Sequence, residues 1–529
     1  MKEMKKIKED WKDRLAFLEK TMGWEYTEEQ KKAIESIVTK TLIVVTGGAG
    51  TGKTTTVLGA KKALDELTFS QCCLAGKGAS RMHESTGYEA STIHRLLQIS
   101  MFDNESTSLA NITHITPKGD KIATSLKDLT IRNSKSLFAH NSHHKLDSEL
   151  IFIDEFPMIG GELFLSILKA IKTGSTLVLI GDFRQLPAIG SLNIGRDLIG
   201  HPCIDTAFLT KIHRQAQDSD IIMKSKDVGE GKQLFPMNYT GTGISGKKQD
   251  FEWDIYSDKN LTVPKVVNFF QKYLQKANDI MEIQILAPTK KSVSAINRAV
   301  KNVYNPHKEG QTFIEKKDEV GMSIKINIGD KVINTKNNYS SNVYGGNEEG
   351  TAEVVDIFNG FVGEVMDIVE NTEEESKELI IYYPIVGKKV IVKKDEWLSS
   401  IQLAYAITTH KSQGSEFDYV ICAIDMSHYG SLMSAGREMI YTMFTRASKH
   451  LVVVAQNSAL KFAIDTTAKN FKQTFLPMML KSALKYVKAK TEFFKKNKEI
   501  QLNNDNSIMS DVIFQVINKE YRELDLEEN

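Results

Sequence analysis

Cysteine is scarce in this sequence: Cys72, Cys73, Cys203 and Cys422 are the four among 529 residues. No two form a CxxC pair and none is spaced with histidine as a zinc site requires, so neither a disulfide framework nor a zinc module is supported. A reducing, cytoplasmic setting is expected. Long apolar runs are also missing. No stretch approaches the roughly 20 residues needed to cross a bilayer, and the Lys-rich start MKEMKKIKEDWKDRL lacks the apolar centre of a signal peptide. No membrane partner is expected. An excess of charge of one sign is absent too. Lys and Arg number 68 against 67 Asp and Glu, a net charge of +1, so a nucleic-acid partner would have to be held by local basic grooves.

What is present is the composition of a soluble chain able to build a sizeable core, 41% hydrophobic and 26% charged. Its length implies roughly three or four domains of about 150 residues. The most informative stretch is TLIVVTGGAGTGKTTTVLGAKKALDEL, residues 41–67. LIVV reads as a buried parallel strand, and the part from TTTV onward carries apolar residues at helical spacing. Glycines between a strand and a helix are the context that the pattern GxxxxGK[ST] demands, and Gly47, Gly52, Lys53 and Thr54 supply it. Backbone N–H groups of Gly47, Gly48, Ala49, Gly50, Thr51, Gly52 and Thr55 and the positive end of the helix are expected to cradle the phosphates of ATP. Lys53 adds a point charge, and the Thr54 hydroxyl can bind Mg²⁺.

A second apolar strand, 150–153, runs straight into Asp154 and Glu155 in ELIFIDEFPMIGG. Such a pair at a strand end can hold Mg²⁺ through Asp154 and orient an attacking water through Glu155. One helix-length later STLVLIGD leads into FRQLPAIG and places Gln185 just past another strand end, where it can feel a γ-phosphate.

GGAGTGKT, IDEF, GDFRQLP, LTKIHRQ, THKSQGSEF and YTMFTRA occur in this order, and together they resemble superfamily 1 helicases. STIHRLL and the late THKSQG are similar to the RecD-like and Dda-like branch, superfamily 1B. The resemblance covers residues 26–454. It implies an α/β fold of two RecA-like P-loop motor domains with a small inserted pin domain and an SH3-like β-barrel insertion. In TEEQKKAI it implies that Gln30 reads the adenine edge. Arg214 matches the arginine that reaches the phosphates from the second motor domain, and Arg446 matches the arginine finger. Gly414 and Glu416 match a backbone contact near the γ-phosphate and the residue that bonds the ribose. Thr92, His94, Thr409, His410 and Ser412 fall in motifs that face the nucleic-acid strand. One segment departs from the family: where Ala-Pro-Thr-Gly is common, this chain reads LAGKGASRM (74–82), leaving Lys77 and Arg81 to neutralise strand phosphates.

The organisation expected is a charged helical leader (1–25), a first motor domain (26–214) with the pin-like insertion at about 102–147, a second motor domain in two parts (215–300 and 401–456), the SH3-like insertion between them (301–400), and a helical extension (457–529). Loops as long as 102–147 are uncommon unless functional or disordered. The Val-, Ile- and Tyr-rich segments within 301–400, punctuated by Gly and Asn, predict antiparallel strands. The extension carries the Lys-rich KSALKYVKAKTEFFKKNKE, which reads either as a surface for DNA or for replication or recombination proteins, or as a solvated Lys face over a packed apolar stripe. The compact layout, without the long leading extension of larger RecD-like proteins, resembles the phage Dda-like enzymes. The function implied is an ATP-dependent helicase moving 5′ to 3′ on single-stranded DNA and unwinding duplex DNA in replication, recombination or repair. Two alternatives stay open: an RNA helicase of the same superfamily, and a translocase that strips proteins from DNA with little unwinding.

Overall fold

The computed structural model describes residues 10–98, 112–115, 121–124, 138–188, 193–211, 218–345, 353–371, 376–468, 476–483 and 485. Arg214, much of the 102–147 segment and the chain beyond residue 485 lie outside the described residues.

Two six-stranded sheets organise the molecule. The first contains β1 (Leu42–Gly47), β2 (Phe69–Cys73), β3 (Ala90–Thr92), β4 (Leu150–Asp154), β5 (Thr176–Gly181) and β6 (Asp205–Leu209), in the order β3-β2-β4-β5-β1-β6 with every neighbour parallel. Parallel strands covered on both faces read as unbroken apolar runs, and five of the six residues of β1 and all six of β5 are buried. Two strands not anticipated as neighbours, β4 and β5, stand side by side between β2 and β1, and this brings Asp154 to the same sheet edge as the glycine loop after β1.

The helices around this sheet start where local chemistry satisfies their free N–H groups. Helix α1 (Trp11–Met22) buries Trp11 and Leu15 against the first domain, which fixes the described part of the charged leader. In α2 (Glu28–Thr39), Thr27 accepts from the N–H of Gln30 and the Gln30 side chain accepts from the N–H of Thr27, a reciprocal capping box. Helix α3 (Lys53–Ala63) follows Gly52, whose φ of 80° lies in the left-handed region open to glycine. Helix α4 (Gly76–Thr86) follows β2.

The second sheet contains β7 (Gly241–Ser245), β8 (Phe251–Tyr256), β9 (Ile283–Ala287), β10 (Ala406–Thr408), β11 (Phe417–Ile424) and β12 (Ala447–Gln456), in the order β10-β9-β11-β12-β8-β7. Only the β7–β8 pairing is antiparallel. Two mainly parallel sheets flanked by helices agree with the α/β class expected. Helix α5 (Asp220–Gly229) precedes β7, α6 (Lys290–Tyr304) follows β9, and α7 (Tyr429–Phe444) joins β11 to β12.

Between α6 and β10 the chain builds an antiparallel five-stranded sheet in the order Lys388–Val392, Ser376–Tyr383, Val362–Asn371, Lys331–Asn334, Ile401–Leu403. The alternation of Val, Ile and Tyr predicted these strands; among the described residues no further pairing closes the sheet into a ring. Its core is continuous with the second sheet through Val332, Ile381, Trp397 and Tyr405. Lys331 is fully buried there and donates to the carbonyls of Ile280 and Ile283, at 3.1 and 2.7 Å, which ties the two together; burial pushes its ammonium down to about 7. Two short antiparallel strands, Ile112–Ile115 and Lys121–Thr124, occupy the segment where the pin was expected.

Candidate nucleotide site

The end of β1 meets the end of β6 closely. A Cβ on Gly47 would lie 2.4 Å from Thr51 Oγ1 and 2.7 Å from the Leu209 carbonyl oxygen, so the first glycine of the pattern answers to packing. The loop turns back on itself: the Thr51 hydroxyl donates to the Gly48 carbonyl, and Lys53 Nζ donates to the carbonyls of Gly47 and Gly48 at 2.8 and 3.0 Å. Gly48, Ala49, Gly50, Gly52, Lys53, Thr54 and Thr55 line a cleft of about 480 Å³ between the two sheets, a size suited to a nucleotide. Gly47 and Thr51 stand behind its wall.

Asp154 and Glu155 line the same cleft. Asp154 Oδ1 accepts from the N–H of Glu155, and Glu155 holds a left-handed φ of 53° that turns its side chain off the strand line. Glu155 Oε2 is buried and has no hydrogen-bond partner, which marks it as aimed at something other than the protein. Burial pushes the Glu155 carboxyl above its ordinary value, with Arg446 opposing the shift; Asp154 is raised by burial as well. The exposed Thr54 hydroxyl and the Asp154 carboxylate are hard oxygen donors of the kind that suits Mg²⁺, an ion ordinarily held by one or two protein groups together with substrate phosphates. No group of three or more His, Cys, Asp or Glu among the described residues is placed to hold a metal unaided.

Gln185, on the turn after β5, lines the cleft as well, and from the other side Gly414, Glu416 and Arg446 complete the walls. Arg446 is 4% exposed and locked in place: Nε donates to the Thr442 carbonyl, Nη1 to the Ser415 carbonyl at 2.9 Å and Nη2 to Thr445 Oγ1. These use three of the guanidinium's N–H groups and leave the rest for a ligand. Gly414 has a φ of 71°, and a Cβ there would lie 3.2 Å from Glu155 Oε2.

Several residues stand elsewhere than the sequence suggested. Gln30 is 1% exposed; its amide closes the α2 capping box and donates to the Gly52 carbonyl at 3.3 Å, so it braces the loop and is not among the residues lining the cleft. Lys77 is partly buried and already engaged within the protein. Its ammonium lies 4.8 Å above the Phe417 ring in the seam between the sheets, and burial, with Arg81 and Arg446 nearby, pushes it down to about 8. Arg81 lines the nucleotide cleft and pairs across it with Glu416. Thr409 and Ser412 are fully buried, and Ser412 donates to the Thr409 carbonyl at 2.8 Å, so their hydroxyls shape the turn after β10 and are withdrawn from solvent. His410 and Lys411, on the same turn, keep partial exposure. Lys411 Nζ pairs with Glu319 at 2.8 Å. Thr92 accepts from the N–H of Arg95 and caps the short helix that carries His94, whose half-buried ring has its pKa lowered by burial.

Sequence reasoning missed two groups at this site. Tyr441, on α7, donates its hydroxyl to Asp182 at the end of β5. Glu29 accepts from the N–H groups of Thr210 and Lys211 at 2.7 and 3.1 Å and from the Thr210 hydroxyl, anchoring the start of LTKIHRQ. Tyr441 lay inside a quoted motif, and Glu29 beside Gln30, but only the folded chain shows what each one reaches.

Residues 30–191 match the family model described as an AAA domain, and residues 403–454 match the UvrD-like helicase C-terminal domain. The ATP-dependent RecD2 DNA helicase of Deinococcus radiodurans is 26% identical over 448 residues, which cover 83% of this chain and 50% of that protein. The chain thus spans about half the length of that relative. The RecBCD enzyme subunit RecD of Mycolicibacterium smegmatis is 23% identical over 451 residues, covering 83% of this chain and 73% of that one. Among solved structures, a Pif1 helicase from Bacteroides in complex with ADP-AlF3 and ssDNA is 16% identical with a TM-score of 0.43, covering 87% of this chain and 97% of that chain. A glycine loop, an acidic strand end and an arginine from the second sheet face one cleft, the two family models fall on the two sheets, and the sequence relatives run through both: the chain is similar to RecD-like helicases over most of its length.

Proposed function

We propose that the chain is an ATP-dependent DNA helicase that moves 5′ to 3′ on single-stranded DNA and unwinds duplex DNA. The observation that carries the reading is the shared cleft. Lys53 and the loop amides come from one sheet and Arg446 from the other, so charge on a transferring phosphoryl group is fully neutralised only when the two domains close. In this reading Thr54 and Asp154 hold Mg²⁺, which supplies charge neutralisation at the phosphates. Glu155 Oε2 accepts the proton of the attacking water, Gln185 senses the γ-phosphate, and Arg214 adds a second arginine. Gly414 and Glu416 approach the γ-phosphate and the ribose, and Gln30 sets the loop near the base. Thr92, His94, His410 and Lys411 form the strand-facing side, with Thr409 and Ser412 shaping the turn beneath. Opening DNA costs about 1.4 kcal/mol per base-pair step, roughly tenfold in probability, so ATP-driven stepping can hold openings that would otherwise close. A pin from the 102–147 segment and an SH3-like insertion within 301–400 part and enclose the strands. The extension after residue 456 offers a surface to replication or recombination proteins.

The test uses two partial duplexes, one with a 5′ and one with a 3′ single-stranded tail, with ATP and Mg²⁺, beside a Lys53→Ala control. Unwinding only of the 5′-tailed duplex, lost in the control, is the expected result. Preference for the 3′ tail would overturn the polarity, and ATP hydrolysis without unwinding would favour the protein-stripping alternative.

The Arg81–Glu416 pair yields a second expected outcome. For Glu416 to meet a ribose the pair must part, which frees Arg81 beside Asp154 and Glu155, whose ionisation it already favours. The exposed pair itself is worth little, whereas a charge-assisted bond to a phosphate is worth about 1.5–3 kcal/mol. Arg81→Ala is expected to worsen kcat/KM for ATP about tenfold or more and to leave nucleotide-free affinity for single-stranded DNA within about twofold. The reverse pattern, read by steady-state ATPase and DNA anisotropy, would return Arg81 to the strand.

A further inference from the structure

The segment that follows β5 crosses between the two domains and returns within six residues. Phe183 packs with Phe156 in the core of the first domain, and the N–H of Ala188 donates to the Pro157 carbonyl of that same domain at 2.8 Å. Leu186, between them, belongs to the other side. Its side chain is 1% exposed within the core cluster built by Phe251, Val420, Met439 and Leu451 of the second domain. Both polar atoms of its peptide are taken by second-domain side chains: its N–H donates to Thr442 Oγ1 at 2.9 Å, and its carbonyl accepts from Gln413 Nε2 at 3.0 Å. The Thr442 hydroxyl proton is committed to the Glu438 carbonyl at 2.7 Å, which leaves a lone pair for Leu186. Thr442 is fully buried and Gln413 is 8% exposed, so neither bond can be replaced by water without opening the seam.

From this geometry we infer that Thr442 and Gln413 are positioning residues that set Gln185 from the second domain. Gln185 immediately precedes Leu186 and lines the nucleotide cleft. Its own N–H is tied to the Asp182 carbonyl at 3.0 Å, so residues 182–186 form a short turn with little slack. Leu186 is a peg of the first domain seated in the second. The helix that holds it, α7, also leads into Arg446, so the movement that delivers the arginine seats Gln185 in the same stroke. The sequence separation of 256 positions between Leu186 and Thr442 hides the pairing from any local reading. This inference rests on the proposed ATP-driven motor and deepens it, because it assigns the coupling between closure and the γ-phosphate to named side chains.

The test compares ATP turnover, with and without single-stranded DNA, in wild type, Thr442→Val, Thr442→Ser and Thr442→Val combined with Gln185→Ala. Thr442→Val keeps the side-chain volume and removes the acceptor. It is expected to lower DNA-stimulated kcat about tenfold, with KM for ATP and affinity for single-stranded DNA within about twofold of wild type. Thr442→Ser, which retains the hydroxyl, is expected to restore kcat. In the Gln185→Ala background Thr442→Val is expected to add less than about twofold, because the group it positions is already gone. A full additional loss in that background, an unchanged kcat in Thr442→Val, or a rise in KM alone would each overturn the proposal. Should Thr442→Val not fold, Gln413→Leu, on the other side of the same peptide, is read by the same criteria. A wild-type protein without DNA stimulation would sink the motor reading separately, and basal turnover would then carry the comparison among the variants.

Discussion

Arg446→Ala is expected to lower the DNA-stimulated kcat for ATP hydrolysis by about a thousandfold, while binding of a fluorescent nucleotide analogue and of single-stranded DNA persists. An arginine supplied to a transferring phosphoryl group is worth at least about that factor, roughly 4 kcal/mol at the transition state. The large effect follows from where Arg446 stands. It comes from the second domain, is 4% exposed, and faces Glu155, whose carboxylate favours its charged form. Burial works against the guanidinium charge, and three hydrogen bonds to Thr442, Ser415 and Thr445 fix the planar fork. Lysine cannot reproduce that fork, so Arg446→Lys is expected to fall close to the alanine variant. A lysine variant retaining a third or more of wild-type turnover would show that only charge is needed there.

Glu155→Gln is the second large loss. A positioned general base contributes about a hundredfold to ten-thousandfold, and the unpartnered Oε2 at the cleft is the group with free acceptor capacity. The variant is nearly isosteric, so kcat is expected to fall in that range with KM for ATP little changed. The pH profile gives an independent check. Glu155 must be ionised to accept a proton, and burial raises its pKa above the ordinary glutamate value, so the acid limb of kcat in the wild type lies closer to neutrality than an unperturbed glutamate would place it. That limb is expected to vanish in Glu155→Gln. The sign for stability is opposite to that for activity. A carboxyl whose folded pKa is raised contributes stability only where it is protonated, below its unfolded value, and loses the contribution as pH rises through the folded value. Wherever Glu155 is ionised its buried charge therefore strains the fold, and above the folded pKa Glu155→Gln is expected to raise Tm as it removes activity. A variant that loses activity and melts earlier would mean that Glu155 is a structural carboxylate.

Legibility in the sequence followed the range of the interaction. The glycine loop was readable because a buried strand, a fixed glycine spacing and a helix are contiguous, and the packing of Gly47 against Leu209 gives that spacing its physical cause. Asp154 and Glu155 were readable as a strand end for the same reason. The partner of Lys77 was not legible because a lysine just after a strand gives no sign of direction; in the fold it lies over Phe417, brought there from the other sheet. The part Thr409 and Ser412 play in the turn was not legible because a hydroxyl that binds a strand and one that closes a tight turn look alike in sequence.

The sequence by itself determined the local patterns: a glycine loop between a strand and a helix, an acidic pair at a strand end and a late arginine, each of which short-range sterics and hydrogen bonding enforce. Only the tertiary structure decided who meets whom across the cleft. It set Arg81 against Glu416, 335 positions away, seated Leu186 in the core of the second domain, and aimed Tyr441 at Asp182. Those pairings depend on how the two sheets and their helices and loops meet, a relation that no stretch of neighbouring residues encodes.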